Sequence, residues 1–181
     1  MAFWANLLGY QAVWFAAVIG ASRDASWIGI LAAALFVAAQ MSASDERRSD
    51  LLLVLCSVSI GIVLDGTLAS LGVLRYASQG ALLPAPAWIL AVWAAFAMTM
   101  NHSLVFLRGR ADWAIVLGAI GGPLAYLGAA RGFGAVVFTA PAWHAVALLA
   151  LVWAIALPSL ALLAQRWHRR PRRVGLQGAT R

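Results

Sequence analysis

Two side chains that could transfer protons or bind a polar ligand lie inside long apolar segments of the sequence. Asp65 lies within residues 51–73, and His102 lies within residues 87–107. A carboxylate at this depth of a bilayer costs about 2.5–3.5 kcal/mol on insertion scales, so the protein itself must satisfy it. A neutral imidazole can donate and accept a proton at once. We therefore predict that Asp65 and His102 are catalytic residues.

Structural alternatives stay open for both residues. The Asp65 carboxyl could be a hydrogen-bonded packing group, or it could pair with Arg75 or Arg131 from the nearer membrane boundary. The imidazole could bond to a polar side chain on a neighbouring helix: Gln40, Asn6 or Tyr10. At about 1.5 Å of rise per residue, Asp65 and His102 lie about 12–13 Å apart in depth. We therefore expect a long cavity with polar groups at two levels instead of a direct pair.

Four further polar residues are predicted to bind a substrate beside these two. They are amides and a phenol inside the predicted helices: Asn6, Gln11, Asn101 and Tyr126. Polar side chains within membrane spans usually face the bundle interior, because lipid cannot satisfy them. The sequence therefore predicts an interior polar pocket between the first, third, fourth and fifth helices.

The sequence indicates neither a metal nor a cofactor. His102, His144 and His168 are predicted at the inner boundary, the outer boundary and the tail, and no carboxylate follows them at ligand spacing. The single Cys56 has no partner for a disulfide or a metal knuckle. Glycine-rich phosphate loops and metalloprotease motifs do not occur.

The elements that must position these residues are membrane-spanning helices. Of the 181 residues, 64% are hydrophobic and 10% are charged, whereas a soluble domain is about 45–50% apolar and about 25% charged. We predict an all-α bundle of six transmembrane helices in one domain, residues 1–164, followed by a basic tail, residues 165–181. The helices are predicted at residues 3–21, 27–41, 51–73, 87–107, 113–130 and 142–164, with loops at 74–86 and 131–141.

Arginine placement predicts the orientation of the bundle. With six crossings, ten of the 13 arginines lie on the side of the two termini. The positive-inside rule then places both termini in the cytoplasm. We expect the basic segment Arg166–Arg173 to bind anionic lipid headgroups, at about 1 kcal/mol per arginine, and not nucleic acid.

Small residues predict where the helices touch each other. Gly61 lies one helical turn before Asp65, and the fifth helix carries Gly118, Gly121 and Gly122. Such residues let helix backbones approach closely in lipid, and Pro123 is expected to kink the fifth helix. The same surfaces could dock a second copy of the chain or another membrane protein.

Four segments of the sequence resemble one protein family. They are NLLGYQAVWFAAVIGA near the start, LDGTLASLGVL around Asp65, MNHSL at Asn101–His102 and GAIGGPLAYLGA in the fifth helix. They are similar to a bacterial family of small inner-membrane proteins, domain of unknown function 2878, nearly throughout the chain as far as Ala164. The resemblance implies a compact multi-helix protein of the bacterial cytoplasmic membrane, often encoded near lipid-modifying enzymes. It implies no catalytic role.

The leading functional hypothesis is a protein that handles or modifies a lipid, isoprenoid or fatty-acyl substrate, with His102 available for proton transfer. A second hypothesis is a carrier of a small solute or of protons that uses Asp65 as its titrating site. A third is a noncatalytic assembly or accessory subunit that docks through its small-residue stripes. The sequence leaves open whether the protein is an enzyme.

Overall fold

The structure is a computed structural model that describes residues 2–78 and 84–168. Within these ranges the chain is almost entirely helical, which confirms the all-α prediction. The elements are α1 (Ala2–Ser22), α2 (Trp27–Ala43), α3 (Arg47–Ser70), β1 (Leu74–Tyr76), α4 (Ala87–Met100), α5 (Ala111–Phe133), β2 (Val136–Phe138) and α6 (Ala142–Trp167). Arg169, Arg170, Arg172 and Arg173 of the predicted basic tail lie outside the described residues.

Four of these helices, α1, α3, α5 and α6, are long and apolar enough to cross a membrane. The other two are apolar but shorter, with 17 residues in α2 and 14 in α4. Large apolar side chains are exposed along the long helices, among them Leu8, Leu55, Val63, Ile120, Leu151 and Ile155. Because soluble proteins rarely expose so much continuous apolar surface, this pattern is that of a multi-pass membrane protein.

The short helix α4 forms the centre of the bundle, with α1, α2, α3 and α6 packed around it. Its sequence AWILAVWAAFAMTM is apolar on every side, which is typical of a helix that is buried all round. Every large apolar side chain of α4 is buried or half-buried. The residues that follow this helix are therefore held in the interior of the protein.

The fourth helix ends at Met100, although the sequence predicts a helix as far as Leu107. The chain turns at Asn101 and continues as a short 3-10 helix at Val105–Leu107. The turn is stabilised from α1, because the Asn6 amide donates to the Met98 carbonyl at 3.2 Å. That bond satisfies one of the backbone acceptors that a helix end leaves without an intrahelical partner.

The two regions predicted as loops contain a small antiparallel sheet. Strand β1 pairs with β2 so that Leu74 lies opposite Phe138 and Tyr76 lies opposite Val136. Leu74 and Tyr76 are buried and Arg75 between them is exposed, which is the alternation of a strand with one buried face. The sheet therefore joins the end of α3 to the end of α5 and turns Tyr76 into the bundle.

Three of the glycines predicted at helix contacts lie against tryptophan side chains or backbone. A Cβ at Gly61 would lie 2.4 Å from the Trp93 ring, and one at Gly122 would lie 2.2 Å from Cγ of Trp153. A Cβ at Gly118 would lie equally close, at 2.2 Å, to the Trp153 carbonyl oxygen. Only glycine permits these approaches, which bring α3 against α4 and α5 against α6.

Two neighbouring positions in α5 differ from these three. A Cβ at Gly121 would meet no atom within 4 Å, because this residue faces open space and not another helix. The buried Pro123 lies inside α5, which runs from Ala111 to Phe133 through it. The packing surface of α5 is therefore formed by Gly118 and Gly122, one turn apart, and excludes Gly121.

Candidate functional site

The carboxylate of Asp65 is the centre of a buried set of hydrogen bonds. Its Oδ1 accepts from the Tyr76 hydroxyl at 2.5 Å and also from the Tyr126 hydroxyl. Its Oδ2 accepts from Nε1 of Trp93 at 2.6 Å. Asp65 itself is 1% exposed. We call these four residues the Asp65 cluster; they come from α3, β1, α4 and α5.

Local sequence features bring the donors to the carboxylate. Gly61 lies one turn before Asp65 on α3 and leaves room for the Trp93 ring. The pairing of β1 with β2 turns Tyr76 inward. Tyr76 lies outside the helices, and burial, followed by the neighbouring Asp65 carboxylate, raises the pKa of its phenol. The Tyr76 hydroxyl therefore keeps its proton and acts as a donor.

Neither arginine considered as a partner for Asp65 belongs to this cluster. Arg75 and Arg131 are both exposed, whereas the carboxylate is held by two phenols and an indole. Hydrogen bonds to a charged group contribute about 1.5–3 kcal/mol each, so three donors offset a large part of the desolvation of a carboxylate. The hydrogen-bonded alternative for Asp65 fits this geometry better than the ion pair does.

A cavity of about 450 Å³ lies beside the Asp65 cluster, between α1, α4, α5 and α6. This volume is within the range of about 300–1,000 Å³ that is typical of small-molecule sites. Its walls are mostly aliphatic and aromatic: Tyr10, Gln11, Trp14, Val18, Trp88, Ile89, Val92, Trp93, Phe96, Leu104, Leu107, Leu117, Gly118, Gly121, Gly122, Leu124, Ala125, Tyr126, Ala129, Val136, Trp153 and Leu157. The cavity is thus an apolar space and not the polar pocket that the sequence predicts.

The cavity reaches the surface of the bundle between α1 and α5. Gln11 on α1 and Gly121 and Leu124 on α5 line it and are exposed. Further along, the two helices touch again, where the rings of Trp14 and Phe133 lie 6.1 Å apart, edge to face. The opening therefore faces sideways, in the direction of the surrounding lipid in a membrane-embedded bundle.

Two residues belong to both the Asp65 cluster and the cavity wall. Trp93 and Tyr126 donate to Asp65 and also line the cavity. Asp65 lies behind them and is not itself in the wall. Of the residues predicted to bind substrate, the structure therefore brings Tyr126 and Gln11 to the cavity, with Asp65 one side chain away.

His102 and Asn101 lie in a different polar cluster, at the other end of α3. The His102 Nε2 atom lies 3.5 Å from Oδ2 of Asp50. Asn101 Nδ2 donates to Oδ1 of Asp50 at 2.6 Å and to Oγ of Ser49 at 3.0 Å. The Ser44 hydroxyl donates to Oδ2 of Asp50 at 2.5 Å. We call these five residues the Asp50 cluster; none of them lines the cavity.

Charged groups extend the Asp50 cluster toward the ends of α5 and α6. Arg108 Nη2 donates to Oδ1 of Asn101 at 2.5 Å and lies 3.7 Å from Oε2 of Glu46. His168, directly after α6, places Nδ1 2.6 Å from Oε1 of Glu46. These contacts fasten together the chain segments at this end of the bundle. His102 and Asp65 share no hydrogen-bond partner, in agreement with their different predicted depths.

Asn6 joins α1 to the turn after α4. Its Oδ1 accepts from the Ser103 hydroxyl at 2.6 Å, and its amide donates to Met98. Asn6 is 1% exposed and does not line the cavity. The structure therefore places Asn6 in a helix contact, away from the space where a ligand fits.

Within residues 2–78 and 84–168, no group of three or more His, Cys, Asp or Glu side chains is arranged to hold a metal ion. The two carboxylate clusters instead use amide, hydroxyl, indole and imidazole partners.

Asp50, Tyr76 and Trp93 were not among the residues singled out from the sequence. A sequence signal for Asp50 did exist, because it lies next to the start of a buried stripe along α3. Every fourth residue in this stripe is buried: Ser49, Leu53, Ser57, Gly61 and Asp65. Tyr76 had no such signal, since its position depends on pairing with a strand sixty residues away along the chain. Trp93 is one of nine tryptophans in the sequence, and only its contact with Asp65 distinguishes it.

Comparison with known proteins adds one match to this geometry. The family described as "Protein of unknown function (DUF2878)" matches residues 3–159. No curated protein and no solved structure matches the chain. Apart from Ala2 of α1 and the end of α6, the match covers all six helices, and it includes the Asp65 cluster, the cavity and the Asp50 cluster. The chain therefore belongs to the DUF2878 family of proteins of unknown function.

Proposed function

We propose that this protein binds the apolar chain of a lipid, isoprenoid or fatty-acyl molecule in the cavity that opens between α1 and α5. The supporting observation is the cavity itself, which has apolar walls, a volume of about 450 Å³ and a sideways opening between exposed residues of two helices. A ligand from the bilayer would enter through this opening without crossing water. Apolar walls accommodate an alkyl or prenyl chain through van der Waals contacts, since such a chain gains no hydrophobic free energy on leaving the bilayer core.

We further infer that all six helices cross the bacterial cytoplasmic membrane, with both termini in the cytoplasm. Two contacts support this arrangement, because Asn6 at the start of α1 bonds to Met98 at the end of α4, and His168 after α6 bonds to Glu46 before α3. The end of the bundle defined by these contacts also holds more arginines. They are Arg47, Arg48, Arg108, Arg110 and Arg166, against Arg23, Arg75 and Arg131 at the opposite end.

The two other hypotheses have less support from the site. A carrier that titrates Asp65 would have to open a carboxylate that is 1% exposed and held by three donors. Proton transfer from His102 to a ligand in the cavity has no geometric support, because His102 lies in the Asp50 cluster. An accessory role does not explain the cavity, although it is compatible with the close glycine contacts.

Two glycines of α5 provide a matched test of ligand binding. Gly121 lines the cavity and Gly132 does not, and a Cβ at either position would meet no atom within 4 Å. The full-length protein would be purified in a mild detergent, and native mass spectrometry would measure any lipid-like molecule that it retains. We expect the wild type and Gly132→Leu to retain it and Gly121→Leu to lose it. Equal retention by both variants, or none by the wild type, would contradict the proposal.

A further inference from the structure

We propose that the ligand is a neutral lipid whose hydrogen-bonding group lies at the mouth of the cavity and bonds to the side-chain amide of Gln11. This inference rests on the proposed function and names the class of its ligand: a long-chain or isoprenoid alcohol, ester or ketone. Phospholipids are outside this class, because their charged headgroups remain at the membrane boundary. Three features support the inference: the depth of Gln11, the hydrogen bonds of α1 and the charge of the cavity wall.

The first feature is that Gln11 lies near the middle of α1 and is exposed at the cavity mouth. At about 1.5 Å of rise per residue, it is about 14–17 Å from either end of that helix. With α1 across the membrane, its amide lies deep in the hydrocarbon core. Its side chain is too short to reach water, unlike a long basic side chain near a helix end. The amide therefore needs a partner in the protein or in a bound molecule.

The second feature is that the helices do not supply this partner. On the same helix, the Asn6 amide donates to the Met98 carbonyl, whereas Gln11 has no hydrogen-bond partner within the part of the chain that the structure describes. Across the opening, the α5 residues Gly121 and Leu124 offer no polar side-chain group. Because Gln11 lines the cavity, a molecule bound there can provide the partner. A primary amide both donates and accepts, so either a hydroxyl or a carbonyl can satisfy it.

The third feature is the charge of the wall, which decides between neutral and charged ligands. None of the described residues that line the cavity is an arginine, histidine, aspartate or glutamate. The carboxyl of Asp65 lies behind the wall, where it accepts from Trp93 and Tyr126. A phosphate or carboxylate bound to the Gln11 amide would be desolvated with no cation to pair with it. A neutral hydroxyl, ester or ketone forms a hydrogen bond there without that cost.

This hydrogen bond is what distinguishes the ligand from the surrounding lipid tails. The apolar part of any lipid gains little on leaving the bilayer core for the cavity, since both surroundings are apolar. The Gln11 amide, in contrast, finds no hydrogen-bonding group among lipid tails before the ligand arrives. We therefore expect the bond to contribute about tenfold in affinity.

The test compares Gln11→Leu with the wild type and uses Gln40→Leu as the matched control. Gln40 is half-buried near the end of α2 and does not line the cavity. Tryptophan fluorescence of the detergent-solubilised full chain would report binding of hexadecanol, methyl hexadecanoate and hexadecane, because four tryptophans line the cavity. Signal that is lost in Gly121→Leu is assigned to the cavity. Comparing variants for each ligand removes the effect of its partition into detergent.

We expect Gln11→Leu to weaken the binding of hexadecanol and methyl hexadecanoate about tenfold and to leave hexadecane unchanged. Gln40→Leu should change none of the three affinities. Hexadecyl phosphate should bind to the wild type more weakly than hexadecanol. Without ligand, Gln11→Leu should be at least as stable as the wild type in chemical unfolding, because leucine removes an unpaired amide from an apolar environment.

Four results would overturn the inference and leave the lipid-binding function intact. They are unchanged binding of the alcohol and the ester by Gln11→Leu, an equal loss for hexadecane, phosphate binding as tight as alcohol binding, and a clear loss of stability in Gln11→Leu. The last result would show that the amide has a structural partner, either in this chain or in a second copy of it. If none of the ligands binds to the wild type, both proposals fall.

Discussion

The Tyr126 phenol donates a hydrogen bond to Asp65 while its side chain forms part of the cavity wall. This one residue therefore links a buried carboxylate on α3 to a space that opens between α1 and α5. The same carboxylate accepts from Tyr76 and Trp93, so it fixes three side chains at once. Asp65 consequently shapes the cavity without lining it.

Asp65→Asn should destabilise the protein by about 1–3 kcal/mol. An amide replaces one acceptor oxygen by a donor, so either the Trp93 N–H or the tyrosine hydroxyls lose their acceptor. Chemical unfolding in detergent, followed by circular dichroism, would measure the change. Asp45→Asn is the matched control, since Asp45 is exposed and should change stability by less than about 0.5 kcal/mol. Equal unfolding midpoints for the two variants would contradict a structural role for Asp65.

Close packing against Trp153 gives a second prediction at adjacent positions. Gly122→Ala should cost about 1–3 kcal/mol, because its Cβ would lie 2.2 Å from the indole. Gly121→Ala should be neutral or slightly stabilising, since its Cβ meets nothing within 4 Å and alanine favours a helix by about 0.5–1 kcal/mol over glycine. The same unfolding measurement applies to both variants. Similar destabilisation at the two positions would contradict the α5–α6 contact.

Sequence patterns were sufficient to locate the helices, but not to predict contacts between residues that are distant in sequence. Apolar runs located all six helices, and the cost of a charge in lipid singled out Asp65. Helix ends were less accurate: α4 stops at Met100 because Asn101 and Ser103 find partners on other helices, which no local pattern encodes.

The site itself depends on pairings that are remote in sequence. Tyr76 lies in a region predicted as a loop, and it reaches Asp65 only because β1 pairs with β2. His102 was selected for its chemistry, yet its partner is Asp50, which lies just before the predicted third helix at residues 51–73. The cavity wall includes α6 residues such as Trp153 and lacks α3, since helix order around a bundle is set by packing and not by hydropathy.

The Asp50 cluster gives a third prediction. Asn101→Ala should cost about 1–3 kcal/mol, because it removes the donor to Asp50 and the acceptor of Arg108. Ligand binding should remain near the wild-type level, since Asn101 does not line the cavity. Gln165→Ala, an exposed position on α6, serves as the control for stability. Loss of ligand binding with unchanged stability would contradict this prediction. It would show that the Asp50 cluster, like the Asp65 cluster, contributes to the binding site.

If all six helices cross the membrane, each end of the bundle is accessible from only one side of it. In a Cys56→Ser background, single cysteines at Asp45 and Arg110 should react with an impermeant maleimide only from the cytoplasmic side. Cysteines at Arg23 and Arg75 should react only from the opposite side. All four native residues are exposed, so accessibility reports the side of the membrane. Labelling of both pairs from one side would contradict the six-crossing arrangement.

The most direct test of a lipid-binding cavity is photolabelling by a hexadecanol that carries a diazirine in its chain, with the labelled peptides identified by mass spectrometry. In lipid nanodiscs, we expect labelling of α1 around Tyr10 and of α5 around Tyr126 that is competed by excess hexadecanol and lost in Gly121→Leu. Labelling spread evenly over the exposed helix faces, unaffected by competitor or by Gly121→Leu, would contradict a specific site in this cavity.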